Sequence, residues 1–248
     1  MNIGTIVEGP SDRMVIKAVL NRICPGDHRF FDLQPQGSDT FGENSTQYGK
    51  LGGGWKGVRR WCHQTQMHGA SLELILTEGS QQPLDLLVIQ VDADIIREHD
   101  LQDGITEPIA GIPYPCPPIT ENIRALEQII TRWLDREDLP EQIVFAIPSQ
   151  DMENWTFAAH FPEDDLCKNA DYECVPPKGH RDKHPGYLLT LKKYGKYLLR
   201  QSDDIDKPRR RYRPLAIEVG NQWQKVCEIC EQARAFDNAV RDRVLEDT

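Results

Sequence analysis

The segment LDLLVIQVDAD, at residues 84–94, decides the fold of this chain. Residues 84–91 are almost continuously apolar, which is typical of a strand covered on both faces of a parallel sheet. Asp92 and Asp94 follow this strand directly. Because residues two positions apart in an extended chain point to the same side, both carboxylates can face one cleft at the end of the strand.

Three more apolar segments predict strands of the same sheet, and they span residues 2–7, 29–33 and 143–147. Ser11 is expected to cap the helix that follows the first strand, after a break at Gly9 and Pro10. Further helices are predicted at residues 55–67, 119–134, 187–199 and 222–245, and from about residue 151. Strands that alternate with helices predict an α/β fold, with a mainly parallel sheet flanked by helices.

Acidic residues recur where three of the predicted strands end. Glu8 closes the first strand, Asp12 lies four residues later, and Glu153 follows the strand at residues 143–147. Open parallel sheets bind ligands at the carboxyl ends of their strands, so these acids and the pair Asp92 and Asp94 are expected to share one cleft. Five carboxylates in one cleft need a counterion, and hard oxygen ligands suit Mg²⁺ or Mn²⁺.

Each acidic residue also has a simpler interpretation. A carboxylate after a strand can cap a helix or lie in a solvated loop. The recurrence after three strands favours one shared metal site. A pair of ions held there could activate a water molecule and stabilise the leaving oxygen in phosphodiester hydrolysis.

Three short motifs carry a resemblance to a known family. VEGPSD (Val7–Asp12), VDAD (Val91–Asp94) and DMENW (Asp151–Trp155) resemble the Toprim domain of topoisomerases, primases and OLD (overcoming lysogenization defect) nucleases. The chain is most similar to OLD-like and related small Toprim proteins of bacterial anti-phage defence. The resemblance covers residues 2–160 and implies a Toprim-like sheet and two divalent cations.

The resemblance also implies roles for individual residues. The metal ligands would be Glu8, Asp12, Asp92, Asp94 and Glu153. Among these, Glu8 and Asp92 would also be catalytic. OLD-like nucleases use a further lysine near the scissile phosphate, for which the candidates are Lys183, expected to be catalytic, and Lys178.

The charge of the chain is unevenly distributed. The net charge is −10, but residues 168–213 contain 13 basic and 6 acidic residues. Within this segment, KPRRRYRP (Lys207–Pro214) is predicted to be a basic loop. Arginine can clamp phosphates, so Arg209, Arg210 and Arg211 of this loop are expected to bind nucleic acid, together with Lys178. Lys56, Arg59 and Arg60, in the glycine-rich segment GKLGGGWKGVRRW (Gly49–Trp61), are expected to bind it as well. A solvated basic surface or a protein contact is the alternative.

Domain organisation and compartment follow from the same patterns. We expect a Toprim-like catalytic domain at residues 1–162 and a basic, helical C-terminal extension at residues 163–248 packed on it. No apolar run approaches the length of about 20 residues that a membrane span needs, and the N-terminus lacks a signal-peptide pattern. Seven scattered cysteines are more typical of reduced thiols than of a disulfide framework. A cytoplasmic location is therefore expected.

The leading hypothesis is a Mg²⁺-dependent Toprim endonuclease that hydrolyses phosphodiester bonds in nucleic acid, DNA before RNA, in anti-phage defence. The alternative is a non-catalytic or partner-activated Toprim subunit of a defence complex with an ATPase. A topoisomerase would need strand-passage domains, and a primase would need a zinc-ribbon cysteine pattern. A glycosyltransferase could use Asp92 and Asp94, but Glu8 and Asp12 would then be unexplained.

Overall fold

The computed structural model describes most of the chain. The described residues are 1–35, 51–67, 72–77, 82–97, 116, 118–170, 172–174, 184–201, 204–207 and 209–245.

A four-stranded, all-parallel sheet forms the centre of the fold. Its strands are β1 (Asn2–Ile6), β2 (Arg29–Gln34), β3 (Leu86–Gln90) and β4 (Ile143–Ala146). They lie in the order β2-β1-β3-β4. The connection from β1 leads to β2 on one side, whereas the connection from β3 leads to β4 on the other side. The cleft between β1 and β3 is therefore the switch point at which open α/β sheets bind ligands. The predicted α/β fold is confirmed.

Nine α-helices and a two-stranded ribbon complete the described part of the chain. The helices are α1 (Pro10–Ile23), α2 (Gly54–Met67), α3 (Leu72–Leu76), α4 (Thr120–Trp133), α5 (Met152–His160), α6 (Pro185–Leu188), α7 (Arg209–Asn221), α8 (Trp223–Ile229) and α9 (Glu231–Leu245). The antiparallel ribbon consists of β5 (Leu199–Gln201) and β6 (Asp204–Asp206). Short 3₁₀ turns occur at Ala93–Arg97, Tyr172–Cys174 and Lys192–Tyr194.

Alternate residues of β3 belong to different hydrophobic cores. Leu86 and Val88 pack with α1, α5 and the C-terminal helices, whereas Leu87 and Ile89 pack with α2, α3 and α4. This division follows from the two-residue period of a strand, and it explains why β3 is apolar throughout. The sheet is therefore the middle layer between two helical layers.

The C-terminal helices complete one of these layers. Helix α7 packs on α1 so closely that a β-carbon on Gly220 would lie 2.7 Å from the carbonyl oxygen of Ala18. Trp155 of α5 packs against Trp223 and Phe236. Residues on both sides of position 162 thus share one core, and the domain boundary itself stays a prediction.

Several local predictions were wrong. Pro10 is the first residue of α1 and Gly9 is its N-cap, so Ser11 lies inside the first turn; proline is well accommodated there because the first helical N–H has no partner within the helix. Residues 187–199 do not form one helix, because Gly195 adopts a left-handed conformation (φ 79°) after the turn Lys192–Tyr194. The predicted helix at residues 222–245 is divided into α8 and α9.

The basic segment KPRRRYRP is mostly helical, not a loop. It contributes the first turns of α7, whose buried residues Tyr212, Leu215, Ala216 and Val219 form an apolar stripe. Arginine has a favourable helix propensity, so an arginine-rich surface does not prevent a helix that has such a stripe.

The scattered cysteines favoured reduced thiols over a disulfide framework, and one pair departs from this expectation. Cys116 and Cys174 form a disulfide bond, and Cys24, Cys62, Cys167, Cys227 and Cys230 are free. The number and spacing of cysteines carry no information about which two come together in the fold. None of the helices described here has the length and apolar character required to cross a bilayer.

Candidate active site

Glu8 lies where β1 ends, in the cleft between β1 and β3. Its carboxylate accepts a hydrogen bond from the backbone N–H of Asp92 (2.8 Å). The backbone N–H of Glu8 donates to the side-chain oxygen of Gln90 (3.1 Å), and the amide nitrogen of Gln90 donates to the carboxylate of Asp92 (2.9 Å). These three hydrogen bonds connect the ends of β1 and β3 and hold two acidic side chains at the switch point.

Asp94 connects the end of β3 to the end of β4. It lies in the 3₁₀ turn that follows β3, and its backbone N–H donates to the carbonyl oxygen of Gln150 (3.2 Å). The neighbouring N–H of Ala93 donates to the carbonyl oxygen of Pro148 (3.0 Å). The carboxyl ends of three adjacent strands are thereby fastened together.

Asp12 and Glu153 occupy the first turns of α1 and α5. Both side chains are buried, although each is charged in water at neutral pH. The Glu153 carboxylate is 2.7 Å from the ammonium nitrogen of Lys207, and the hydroxyl of Tyr212 donates to the same oxygen (3.1 Å). Lys207 precedes α7, so the C-terminal part of the chain supplies a cation to the acidic cleft.

A second pair of charged groups lies beside this one. The imidazole Nε2 of His184 is 3.0 Å from a carboxylate oxygen of Asp151, the N-cap residue of α5. Burial alone would raise the pKa of Asp151 and lower that of His184. The attraction between the two groups opposes burial in both cases, with help from Lys207 at Asp151 and from Glu153 and Asp94 at His184. The pKa of Asp151 is therefore lowered and the pKa of His184 is raised.

The carboxylates at the switch point are crowded and short of positive charge. Burial, together with the nearby charges of Asp12 and Asp94, raises the pKa of Glu8 to about 8. Burial and the charge of Glu153 raise the pKa of Asp12 to about 6, although Lys207 opposes this shift. Burial and the charge of Glu8 raise the pKa of Asp92 well above its usual range. The fold therefore brings together carboxyl groups whose ionised forms are disfavoured, and which bind protons more tightly than carboxyl groups in water do.

The five acidic residues predicted from the sequence lie in one electrostatically coupled cluster, hereafter the acidic cleft. It consists of Glu8, Asp12, Asp92, Asp94 and Glu153. These five carboxyl groups are therefore electrostatic neighbours at the carboxyl edge of the sheet, and their predicted role as metal ligands stays a prediction.

The side chains of the acidic cleft fit a divalent cation only in part. Among the described residues, no three His, Cys, Asp or Glu side chains are grouped closely enough to hold a metal ion. Glu153 has Lys207 and Tyr212 as partners, and its predicted role as a metal ligand stays a prediction. The donor chemistry of Glu8, Asp92 and their acidic neighbours does fit, because carboxylate oxygens are preferred by Mg²⁺. The pKa values of both groups are raised by burial and by the neighbouring carboxylates, an effect that a bound cation would oppose.

The first group of predicted nucleic-acid-binding residues lies on α2. Lys56 and Arg60 are exposed, and Arg59 is half-buried with its Nε directed to His63 (3.3 Å). Together with Trp55 they line a concavity of about 390 Å³. The N–H of Gly54 donates to the carbonyl oxygen of Glu8 (2.8 Å), so α2 begins at the acidic cleft.

The second group lies at the start of α7. Arg210 is exposed, whereas Arg211 is half-buried and donates to the carbonyl oxygen of Lys196 (3.0 Å). Arg209 is described only as the first residue of α7. Lys178 and Lys183 lie outside the described residues, so their predicted roles stay predictions.

Sequence analysis missed four residues of this site: Asp151, His184, Lys207 and Tyr212. Asp151 stands inside the motif DMENW, two residues before Glu153, and could have been noticed there. The apolar spacing from Tyr212 to Val219 could have predicted α7 and hence a buried Tyr212. His184 and Lys207 had no local signal, because only the fold brings them to the cleft.

Comparisons of the chain with protein-family models, with curated proteins and with solved structures found no match.

Proposed function

We propose that this chain is a divalent-metal-dependent phosphodiester hydrolase that acts on nucleic acid, as a Toprim-like endonuclease would. The observation that carries the proposal is the acidic cleft: buried and half-buried carboxylates at the carboxyl ends of three adjacent parallel strands. The pKa values of Glu8, Asp12 and Asp92 are raised there by burial and mutual repulsion. Strongly perturbed carboxylates in a cleft are typical of functional sites. The motif resemblance adds the reaction class.

Glu8, Asp12, Asp92 and Asp94 are the residues that would hold the cation or the expected pair of cations. A bound divalent cation would supply charge neutralisation for a phosphate group and would favour ionisation of water. Binding also relieves the repulsion between the carboxylates, which gives the cleft an energetic reason to bind Mg²⁺ or Mn²⁺. Glu153 instead anchors Lys207.

Lys207 is the described lysine that suits the phosphate-binding role. Its ammonium group lies among Glu153, Asp12 and Asp151, whose charges raise its pKa against the effect of burial. It therefore stays protonated at any physiological pH and can stabilise charge that develops on a phosphate oxygen. Tyr212 fixes the position of Glu153 and hence the position of Lys207.

Basic side chains beside the cleft support a nucleic-acid substrate. On one side, the α2 concavity carries Lys56, Arg59 and Arg60 and begins at Glu8. On the other side, Arg210 and Arg213 are exposed on α7, which begins shortly after Lys207. Phosphate contacts dominate the affinity of nucleic-acid binding, so positive surfaces on both sides of an acidic cleft would hold a strand across it.

One observation favours the alternative of a partner-activated or non-catalytic subunit. The Glu153 carboxylate is already engaged by an ion pair with Lys207 and a hydrogen bond from Tyr212. In the described part of the chain, no three acidic side chains are grouped to hold a metal. A conformational adjustment would then be needed before metal could bind, and a partner protein, such as the ATPase implied by the resemblance, could provide it. The role in anti-phage defence rests on the same resemblance.

Cleavage assays distinguish these possibilities. Supercoiled plasmid, linear duplex, single-stranded DNA and RNA are incubated with the protein in Mg²⁺, Mn²⁺ or EDTA. We expect metal-dependent cutting by the wild type, loss of cutting in Asp92→Ala, and retention in Asp242→Ala, which removes an exposed carboxylate of α9. Equal activity of the two variants would indicate a contaminating nuclease. The absence of cutting in every condition would favour the partner-activated alternative.

A further inference from the structure

The disulfide bond between Cys116 and Cys174 joins two segments that otherwise belong to different parts of the fold. Cys116 precedes α4 and packs against the core formed by α2, α3 and α4. Cys174 ends the 3₁₀ turn Tyr172–Cys174, whose Tyr172 is buried in the core on the other face of the sheet. The bond therefore fastens the two helical layers to each other.

The turn Tyr172–Cys174 holds the start of α5 and the start of α9. The buried hydroxyl of Tyr172 donates to the carbonyl oxygen of Asn154 (2.5 Å), the residue after Glu153. The carboxylate of Glu173 accepts the backbone N–H groups of Glu231 (2.7 Å) and Gln232 (3.2 Å). A carboxylate at this position caps a helix and interacts favourably with its dipole.

The same turn reaches the acidic cleft through one more residue. The side-chain amide of Gln150 donates to the carbonyl oxygen of Glu173 (3.4 Å), and the carbonyl oxygen of Gln150 accepts the backbone N–H of Asp94 (3.2 Å). Hydrogen bonds thus run from the residue next to Cys174 to Asp94, while Tyr172 supports the turn that carries Glu153. Both acids belong to the cleft.

We propose that the Cys116–Cys174 bond is a redox-controlled clamp on the acidic cleft, which holds the cleft in its active arrangement when oxidised and loosens it when reduced. The regulatory part of this proposal rests on the function proposed above. A small thiol reductant supplies two electrons and two protons: the bond breaks to give two thiols, and two reductant thiols join in a disulfide. Cys116 and Cys174 are both half-buried, so a small thiol can reach them.

Hydrogen–deuterium exchange tests the clamp without reference to catalysis. The oxidised protein, the protein reduced with dithiothreitol and the variant Cys116→Ser are compared by mass spectrometry. In the reduced protein and in Cys116→Ser, we expect amide exchange in segments 93–95, 152–155 and 231–233 to accelerate about tenfold, which corresponds to about 1.4 kcal/mol of local stability. Exchange in β1 and α1 should stay unchanged, which excludes global unfolding.

Cys227→Ser is the matched control, because Cys227 is half-buried and free. This variant should exchange like the oxidised wild type and should still respond to dithiothreitol. A thiol titration in denaturant confirms the starting state, with five free thiols before reduction, Cys24, Cys62, Cys167, Cys227 and Cys230.

The cleavage rate in Mg²⁺ is then measured for oxidised and reduced protein, and we expect a decrease of at least about fivefold on reduction, as for a coupling free energy of about 1 kcal/mol. Unchanged exchange in the three segments would overturn the clamp. Faster exchange with an unchanged cleavage rate would overturn the regulatory role. Faster exchange in a protein that cuts no substrate would leave the clamp supported and contradict the proposed hydrolase.

Discussion

Lys207 and Glu153 form an ion pair of unequal burial in the acidic cleft, beside Asp12. The two charged atoms are 2.7 Å apart, and the Glu153 side chain is 4% exposed whereas that of Lys207 is 28% exposed. An isolated carboxylate at the Glu153 position would be costly, because a buried charge without a partner loses its hydration. The ion pair therefore connects the C-terminal part of the chain to the end of β4 both structurally and electrostatically.

Replacement of Lys207 should destabilise the metal-free protein. In Lys207→Met the apolar part of the side chain is kept, but Glu153 loses its counterion beside Asp12. We expect the free energy of unfolding in EDTA to fall by about 3 kcal/mol, as for other broken buried pairs. Urea denaturation at pH 7.5 measures the change. Lys225→Met is the control, because its pair with Glu228 is exposed and should contribute less than about 1 kcal/mol.

A neutral residue at position 92 should have the opposite effect on stability. Asp92→Asn replaces an ionisable group of the crowded cleft by a neutral one, and its side-chain oxygen can still accept the hydrogen bond from Gln90. Because the pKa of Asp92 is raised well above its usual range by burial and by Glu8, its ionised form opposes folding. We expect Asp92→Asn to raise the free energy of unfolding in EDTA by about 1–2 kcal/mol and to abolish cleavage, a trade-off between stability and function.

The effect of Mg²⁺ on thermal stability tests whether Asp92 belongs to a metal site. A ligand that binds only the folded state stabilises it by RT ln(1 + [L]/Kd). Mg²⁺ should therefore raise the melting temperature of the wild type and of Asp242→Asn, but should raise that of Asp92→Asn far less. If all three proteins respond equally to Mg²⁺, Asp92 is not part of the binding site.

The stability of the metal-free protein should fall as the pH rises. Burial raises the pKa of Glu8 from an ordinary value of 4.5 to about 8, and that of Asp12 from 3.8 to about 6. Between the ordinary and the raised values the folded state binds more protons than the unfolded state, so the free energy of unfolding decreases with increasing pH. The contribution of Glu8 is present below pH 4.5 and is lost as the pH rises through about 8.

Urea denaturation in EDTA at pH 5.5, 6.5, 7.5 and 8.5 measures this dependence. The expected loss is a few kcal/mol across the series, and Glu8→Gln should flatten the curve between pH 6.5 and 8.5. A saturating concentration of Mg²⁺ should flatten it as well, because the cation replaces the protons as the neutralising charge. A wild-type protein that becomes more stable with rising pH in EDTA would contradict the raised pKa of Glu8.

The sheet and the acids at its edge could be predicted because their signals are local. The continuous apolar run of β3 reflects burial on both faces, and a carboxylate directly after a strand must lie at the carboxyl edge of a parallel sheet. The positions of Glu8, Asp92 and Asp94 could be predicted from that rule alone, without knowledge of tertiary contacts. The same reasoning placed Glu153 near them, although not its partners.

The remaining site residues depend on contacts between distant parts of the chain. Lys207 stands in a segment whose arginines suggested a solvated loop, yet its ammonium is turned into the cleft while Arg210 faces solvent. His184 meets Asp151 only because the chain returns to the start of α5. Cys116 and Cys174 likewise pair across a separation of 58 residues. Charge and spacing along the sequence do not specify such pairings.

The basic side chains of α2 should contribute phosphate contacts beside the cleft. We expect Lys56→Gln combined with Arg59→Gln to weaken binding of a single-stranded DNA oligonucleotide and to reduce the slope of log K against log salt concentration by about 1 or more. Fluorescence anisotropy in EDTA, over a series of salt concentrations with the cleavage-deficient Asp92→Asn background, measures both quantities.

The control for this experiment removes the same charge from the opposite edge of the sheet. Arg22 at the end of α1 and Arg29 at the start of β2 are both exposed and lie at the amino edge. If the net charge of the protein alone determined binding, Arg22→Gln combined with Arg29→Gln would change the affinity and the salt slope as much as the α2 variant does. We expect the control variant to keep the slope of the Asp92→Asn parent, because a strand that lies across the acidic cleft is within reach of α2 and not of the amino edge. Equal effects of the two variants would mean that α2 does not contact the nucleic acid and that only long-range attraction is at work.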